Sequence, residues 1–244
     1  DVDIAKIEAL MDSDPDSRHP LNHKLLYQPF KKAEENGEEP IKDSFNCLFY
    51  TPIQPNQLNV NLGTKDKQLD ATDVMSLTAS EIKLRKTTLE VIERLRKYGD
   101  GFENAKLRNY ATAVGVRETR RIVGSYTLRN KDVYQRARFE DTIGVFPVYA
   151  DGEGVKEIPF TDAYFQVPFR ILQPQGVKNL LTAGRCISCE RSSVPTTRQM
   201  DFCMVTGQAA GAASALSIQQ GVDSADVDIK TLQTELERQG LRVF

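Results

Sequence analysis

The residues with the clearest chemical capacity fall in two stretches. The first is Gly115-Val116-Arg117-Glu118-Thr119-Arg120-Arg121-Ile122-Val123-Gly124-Ser125-Tyr126. An arginine there can hold a carboxylate or a phosphate through two parallel N–H bonds. On a strand, Arg120 and Arg121 face opposite sides, so only one can enter a given cavity. An ordinary surface ion pair with Glu118 is the competing reading. The second stretch runs from Asn179 to Leu216. An apolar run ends in Ala183-Gly184-Arg185, a loop of small and polar residues follows, and a helix rich in Gly, Ala and Ser comes next. A strand, a glycine and a helix start in that order aim unpaired backbone N–H groups at one spot, which favours anionic or electron-rich oxygen. Close packing of a small-residue helix is the alternative.

Other chemistries are thinned by counting. The only histidines are His19 and His23, in a polar stretch, so a multi-histidine metal centre is not expected, nor is a Ser-His-Asp triad. Cys186-Ile187-Ser188-Cys189 has C-x-x-C spacing, but it follows a strand-like run and precedes a loop, which is not the helix start a thioredoxin-like dithiol needs. The four cysteines, with Cys47 and Cys203 completing the set, are too few for a disulfide framework and fit a reducing compartment. A cytoplasmic location is the expectation. Gly152-Glu153-Gly154 is the only G-x-G, and Asp151, Glu153 and Glu157 would repel a pyrophosphate, so it reads as a turn. There is no P-loop.

The elements that must position these groups are legible in part. Ile4–Met11 reads as a short helix, and Lys31–Glu39 as a solvated surface segment. Strands are expected at 45–50 and 57–62, with a loop over 63–73. Thr78-Ala79-Ser80-Glu81 reads as a capping box opening a helix with Ile82, Leu89, Ile92 and Leu95 on its packed face, stopped by Gly99 and Gly101. Strand-like runs follow at 120–128, 164–172 and 177–184, with a short helix between 131 and 138. A second capping box, Thr196-Thr197-Arg198-Gln199, opens a helix to about Gln220 that Gly221 ends. A last helix spans about 228–239.

The chain has 244 residues, with 32 Lys+Arg against 34 Asp+Glu and a formal charge of −2. Near-neutral charge argues against a nucleic-acid partner. No apolar run approaches the roughly 20 residues that span a bilayer. With 40% hydrophobic and 27% charged residues, the composition is that of a globular domain. Asp1-Val2-Asp3-Ile4 carries neither an initiator Met nor a signal pattern, so a processed chain or the carboxyl-terminal part of a longer one is expected.

Several blocks in order carry a resemblance. Gly115–Ile122, Asn179–Ser188 and Gly207-Gln208-Ala209-Ala210-Gly211 are joined at suitable spacings by Asp73, Leu77–Glu81, Gly101-Phe102-Glu103, Phe139-Glu140-Asp141 and Val167-Pro168-Phe169-Arg170. From about residue 57 onward the chain resembles the carboxyl-terminal half of the FAD-dependent oxidoreductase family. That family is related to the glutathione-reductase-like and succinate dehydrogenase/fumarate reductase flavoproteins. Cys186 and Ser188 fit the pattern and Cys189 does not.

The resemblance implies an α/β fold: an α+β substrate or cap domain over residues 1–172, then the returning strand and helix of an FAD/NAD(P)-binding domain over 173–244. It implies FAD as cofactor, a small organic substrate, and hydride transfer between the two. Ala183, Gly184 and Arg185 would lie along the ribityl and pyrophosphate. Ser188 belongs to the same loop, and Thr197, Arg198, Gln199 and Met200 would face the pyrimidine edge of the flavin. Arg120, Arg121, Arg170 and Tyr126 are the candidates on the substrate side, with Tyr164 a further donor. The G-x-G-x-x-G segment that holds the ADP half is absent from this sequence and is expected in cis or on a separate chain. A binding or assembly subunit that kept the fold without the cofactor is the rival reading, and a thiol redox protein using Cys186 and Cys189 is a third.

Overall fold

The computed structural model describes residues 2–13, 24–41, 49–61, 66, 68–148 and 164–243. His19, His23, Cys47, the first part of the expected 45–50 strand and the Gly152–Gly154 turn lie outside them. The fold is mixed α/β, with seven α-helices and two small antiparallel sheets among the described residues. The chain divides into two compact units, Asp1–Gly115 and Val116–Phe244.

In the first unit, α1 (Ile4–Ser13) and α2 (Lys24–Glu35) precede a hairpin of β1 (Phe49–Gln54) and β2 (Gln57–Asn61), and α3 (Val74–Tyr98) follows. The Lys31–Glu39 stretch is not simply a solvated segment. Its first half closes α2, and Phe30 and Ala33 are buried there. Their spacing of three places both on one helix face. Helix α3 starts before the expected capping box. Asp73 is the cap, accepting the Ser76 amide at 2.8 Å, while the Thr78 hydroxyl donates back to the Val74 carbonyl at 2.8 Å. Glu81, freed from capping, accepts the Val114 amide at 2.7 Å and pairs with Arg85.

The packed face of α3 differs from the expected stripe as well. Ile82 and Leu89 are about half exposed, at 52% and 48%, whereas Val91 and Leu95 are buried with Ile7, Phe30, Ile41, Phe102 and Ala105. Gly99 ends the helix as expected, its amide returning to the Leu95 carbonyl.

In the second unit, α4 (Asn130–Tyr134) is followed by β3 (Thr142–Pro147) and β4 (Tyr164–Pro168), which pair antiparallel. Then come a 3-10 turn over 169–172, another over 184–186, the short α5 (Val194–Thr197), α6 (Met200–Gln220) and α7 (Ile229–Arg238). The core is aromatic at its centre. Phe202 meets Phe146 edge to face at 5.1 Å and stacks with Phe165 at 6.3 Å, and Leu128, Ile143, Ile171, Ile187, Leu232 and Leu236 complete it. Helix α6 packs against β3, the 169–172 and 184–186 turns and α7.

Two expected strands take another form. Residues 120–128 thread between two partners, so no ladder of regular length builds on either side. Ser125 donates to the Gln173 carbonyl and Gln175 to that of Val123, while Ile122 donates to Cys186 and Leu128 to Ser188. Only isolated bridges result, Gly124 with Pro174 and Leu128 with Cys189. The 177–184 run is bent at Asn179, whose φ is 51°, and keeps one ladder-like bond, Thr182 to the Leu172 carbonyl at 2.8 Å.

The second capping box is displaced too. Thr196 and Thr197 lie inside α5, which Pro195 helps to start, and α6 begins only after Gln199. Gly221 terminates α6 with φ 66°, and Asp228 caps α7 by accepting the Thr231 amide at 2.7 Å.

Candidate functional site

The arginines expected on the substrate side separate into three environments. Arg121 is consumed internally: it pairs with Glu118 at 2.8 Å and donates from Nε to the Cys189 carbonyl at 3.1 Å. Arg170 grips Asp141 with a two-bond fork, Nε to Oδ2 at 2.9 Å and Nη2 to Oδ1 at 3.1 Å, and its guanidinium lies 5.2 Å over the Tyr126 ring. Arg120 is exposed and makes no ion pair or hydrogen bond with the described residues. It lines a cleft of about 350 Å³ with Val116, Glu118, Thr119, Arg185 and Cys186.

Tyr126 is turned inward. Its hydroxyl donates to Asp132 Oδ2 at 2.8 Å, and that carboxylate also accepts the Arg129 amide at the start of α4. Burial first, then the Asp132 carboxylate, push the phenol up to about 12. A phenol raised in the folded chain contributes stability that is complete below its ordinary value near 10 and lost as pH climbs through about 12. Tyr126→Phe is expected to cost about 1.5–3 kcal/mol at neutral pH, the worth of a hydrogen bond to a charged group. It should also flatten the loss of stability above pH ~10, the ordinary phenol value. Thermal melts across alkaline pH check this; an unchanged alkaline slope in the variant would refute the assignment.

The residues expected to face a flavin lie around the 184–186 turn and the starts of α5 and α6. Gly184, with φ 75°, donates its amide to Thr206 Oγ1 at 3.0 Å, fixing the 184–186 turn against the first two turns of α6. A Cβ at Gly184 would meet only Cys203 Sγ, at 3.8 Å, so its outer side is open. The start of α6 has no side-chain cap, and the Gln199 amide group instead donates to the Pro195 carbonyl at 2.8 Å. The backbone N–H groups of Arg198 and Gln199 are engaged by Val194 and Thr196 carbonyls. Those of Met200, Asp201 and Phe202 find no hydrogen-bond partner among the described residues. The open donors thus begin three residues beyond Thr197, as the displaced helix start requires.

Ser188 and Thr197 contribute to the interior. Ser188 is 1% exposed and its hydroxyl sits 3.1 Å from that of Thr127; Thr197 is 2% exposed and 3.5 Å from Cys189 Sγ. Arg185 turns its guanidinium to the Val116 carbonyl and so belongs to the cleft with Arg120. Thr206, Thr119 and Asp132 were not singled out in the sequence. Thr206 follows Gly184 by twenty-two residues, a separation no local pattern records.

The three described cysteines differ in their surroundings. Cys186 is exposed, Cys189 is buried, and burial pushes the Cys189 and Cys203 thiols up, away from the thiolate form. Among the described residues no group of His, Cys, Asp and Glu is arranged to hold a metal ion. No helix among them is long and apolar enough to cross a membrane.

The sequence profile of a family described as FAD dependent oxidoreductase matches residues 2–236, beginning well ahead of residue 57, where the resemblance was expected to start. The chain belongs to that family. No curated protein and no solved structure matches it.

The chain's residues suit FAD at one edge. Unpaired amides at a helix N-terminus, beside a glycine whose outer side is open, fit a flavin pyrimidine edge, because that edge becomes electron-rich on reduction.

Proposed function

We propose that this chain is the cap and flavin-facing part of an FAD-dependent oxidoreductase, with residues 1–172 on the substrate side and residues 173–244 facing the flavin. The chemistry that FAD supplies when bound is acceptance or donation of a hydride, exchanged here with a small organic substrate. The observation that carries this reading is the uncapped start of α6, with three free amides beside Gly184. Ala183 and Gly184 would bring backbone close to the ribityl chain. Met200, Asp201 and Phe202 would donate their N–H groups toward the pyrimidine edge, with Arg198 and Gln199 leading into that turn. Ser188 and Thr197 hold the loop from inside.

The face of α6 turned away from the core supports the same reading. Met200, Met204, Gly207, Gly211 and Ile218 recur at intervals of three, four and seven and are exposed, and a Cβ at either glycine would meet nothing within 4 Å. No charged side chain interrupts that face. Val177 and Leu180 are exposed nearby in sequence to the 184–186 turn. The G-x-G-x-x-G segment that cradles the ADP half, in cis or on a separate chain, is the element we assign to these surfaces.

The test uses a preparation that contains both this chain and such a segment. Met200→Pro deletes one of the three amides and leaves the helix intact, because proline is favoured at the first helical position and Gln199, at φ −63° and ψ 148°, already suits the residue before it. Bound FAD should persist through gel filtration of the parent. The variant should bind FAD roughly 10-fold more weakly and hold it at a lower reduction potential, since one donor to a charged edge is lost. Parent protein that stays colourless would favour the non-catalytic subunit. Unchanged affinity and potential in the variant would remove α6 from the flavin site.

A further inference from the structure

Six residues line the 350 Å³ cleft: Val116, Glu118, Thr119, Arg120, Arg185 and Cys186. Its charge is unbalanced. Glu118 is the sole carboxylate in the lining, and it is shared between Arg121 at 2.8 Å and Arg191 at 3.3 Å. Among the described residues Arg120 and Arg185 are therefore left without a carboxylate, and four guanidinium groups stand around one acidic side chain. Arg185 spends one N–H on the Val116 carbonyl, which holds it in place and leaves its other donors available. The two stretches that line the cleft are tied together by the bond from the Ile122 amide to the Cys186 carbonyl at 2.9 Å.

We infer that this cleft is a carboxylate-binding subsite, in which Arg120 and Arg185 take the anion between them and Thr119 adds a hydroxyl donor. The inference names the substrate class, a small organic acid, and rests on the oxidoreductase reading for the word substrate alone. Guanidinium groups serve either anion, and carboxylate is favoured over phosphate by the lack of a backbone cradle in the lining. Phosphate cradles are commonly built from glycine-rich backbone amides or a helix start. Here the lining contains no glycine, and its donors are side-chain guanidinium forks, which match a planar carboxylate. The volume lies at the lower end of small-ligand sites, enough for a compact acid.

Cys186 is exposed and lines the same cleft, so it serves as a built-in reporter. The full chain is treated with iodoacetate or with neutral iodoacetamide in low salt, and alkylation at Cys186 is followed by peptide mass spectrometry. A cationic cleft should raise the iodoacetate-to-iodoacetamide rate ratio about 10-fold over that of a free thiol in solution. Arg120→Ala, at an exposed side chain without partners among the described residues, should abolish most of that gain. Arg117→Ala removes an equal charge outside the lining and should leave the gain largely intact. Malonate should protect Cys186 from iodoacetate.

A ratio equal to that of the free thiol would overturn the site. Equal losses in both variants would show a diffuse field and overturn it too. Protection by inorganic pyrophosphate with none by malonate would make the cleft a phosphate site and overturn the carboxylate assignment. No flavin enters the measurement. Failure here leaves the α6 reading standing, and failure of FAD to bind leaves this result untouched.

Discussion

Phe202→Ala is expected to destabilise the second unit by about 3–5 kcal/mol, the range for truncating a fully buried aromatic ring. Phe202 is 0% exposed, and its ring sits among Phe146 and Phe165 at the centre of the core. Truncation leaves a cavity that β3 and β4 cannot collapse into, because their mutual pairing holds their separation. The same residue carries one of the three open amides of α6, so the loss should reach the site as well as the core. Urea denaturation measures the first effect. Phe202→Leu, which keeps most of the volume, should recover more than half of the loss. A loss below about 1 kcal/mol for the alanine variant would mean the ring does not anchor this core.

The second large effect is expected at Gly124. A Cβ built there would stand 2.6 Å from Ser188 Cβ, a separation real Cβ atoms essentially never show, and a tight 3.2 Å from the Gln173 carbonyl oxygen. Gly124→Ala must therefore lift residues 122–126 away from one of their two neighbours. Overpacking of this kind costs about 1–3 kcal/mol. The functional cost should exceed the thermodynamic one, because the Ile122–Cys186 bond that ties the two cleft-lining stretches together lies two residues away. Arg120 and Arg185 would then lose their common placement, and the anion preference at Cys186 should fall toward that of a free thiol. Gly115→Ala is the matched control, since nothing lies within 4 Å of a Cβ there. Equal melting temperatures for the two variants would disprove the close-approach account.

Where a local signal and a tertiary need agreed, the sequence was readable. Asp228 and Gln239 bracket α7, and Gly221 closes α6, because each feature acts within one helical turn. Both capping boxes misled for a common reason. A Thr-x-x-Glu or Thr-x-x-Gln pattern gives a hydroxyl and a carboxylate or carboxamide a local use, but Asp73 had already capped α3, and Thr196 lies inside α5, ahead of the start of α6. The apolar runs at 120–128 and 177–184 have strand composition without strand pairing. Their partners alternate in the first and are nearly lacking in the second, and neither fact is written in the run itself.

The candidate site was legible as a region and illegible as a division of labour. Arginine density near Gly115–Ile122 and the glycine before a small-residue helix were visible. Which arginine stays free depends on carboxylates brought by folding. Asp141 reaches Arg170 from twenty-nine residues away, while Glu118 serves Arg121 from three. Arg185 was expected along the cofactor, and only the position of the Val116 carbonyl shows it turning to the cleft.

One hydroxyl ties the 184–186 turn to the long helix. Thr206 Oγ1 accepts the Gly184 amide and is itself placed within 3.1 Å of the Phe202 carbonyl and 3.0 Å of the Cys203 carbonyl. Exchange at the Gly184 nitrogen therefore requires that its bond to the Thr206 side chain break, whether the hydroxyl rotates or the turn lifts away. Exchange at this single glycine becomes a clock for how often the turn parts from the helix, readable by mass spectrometry.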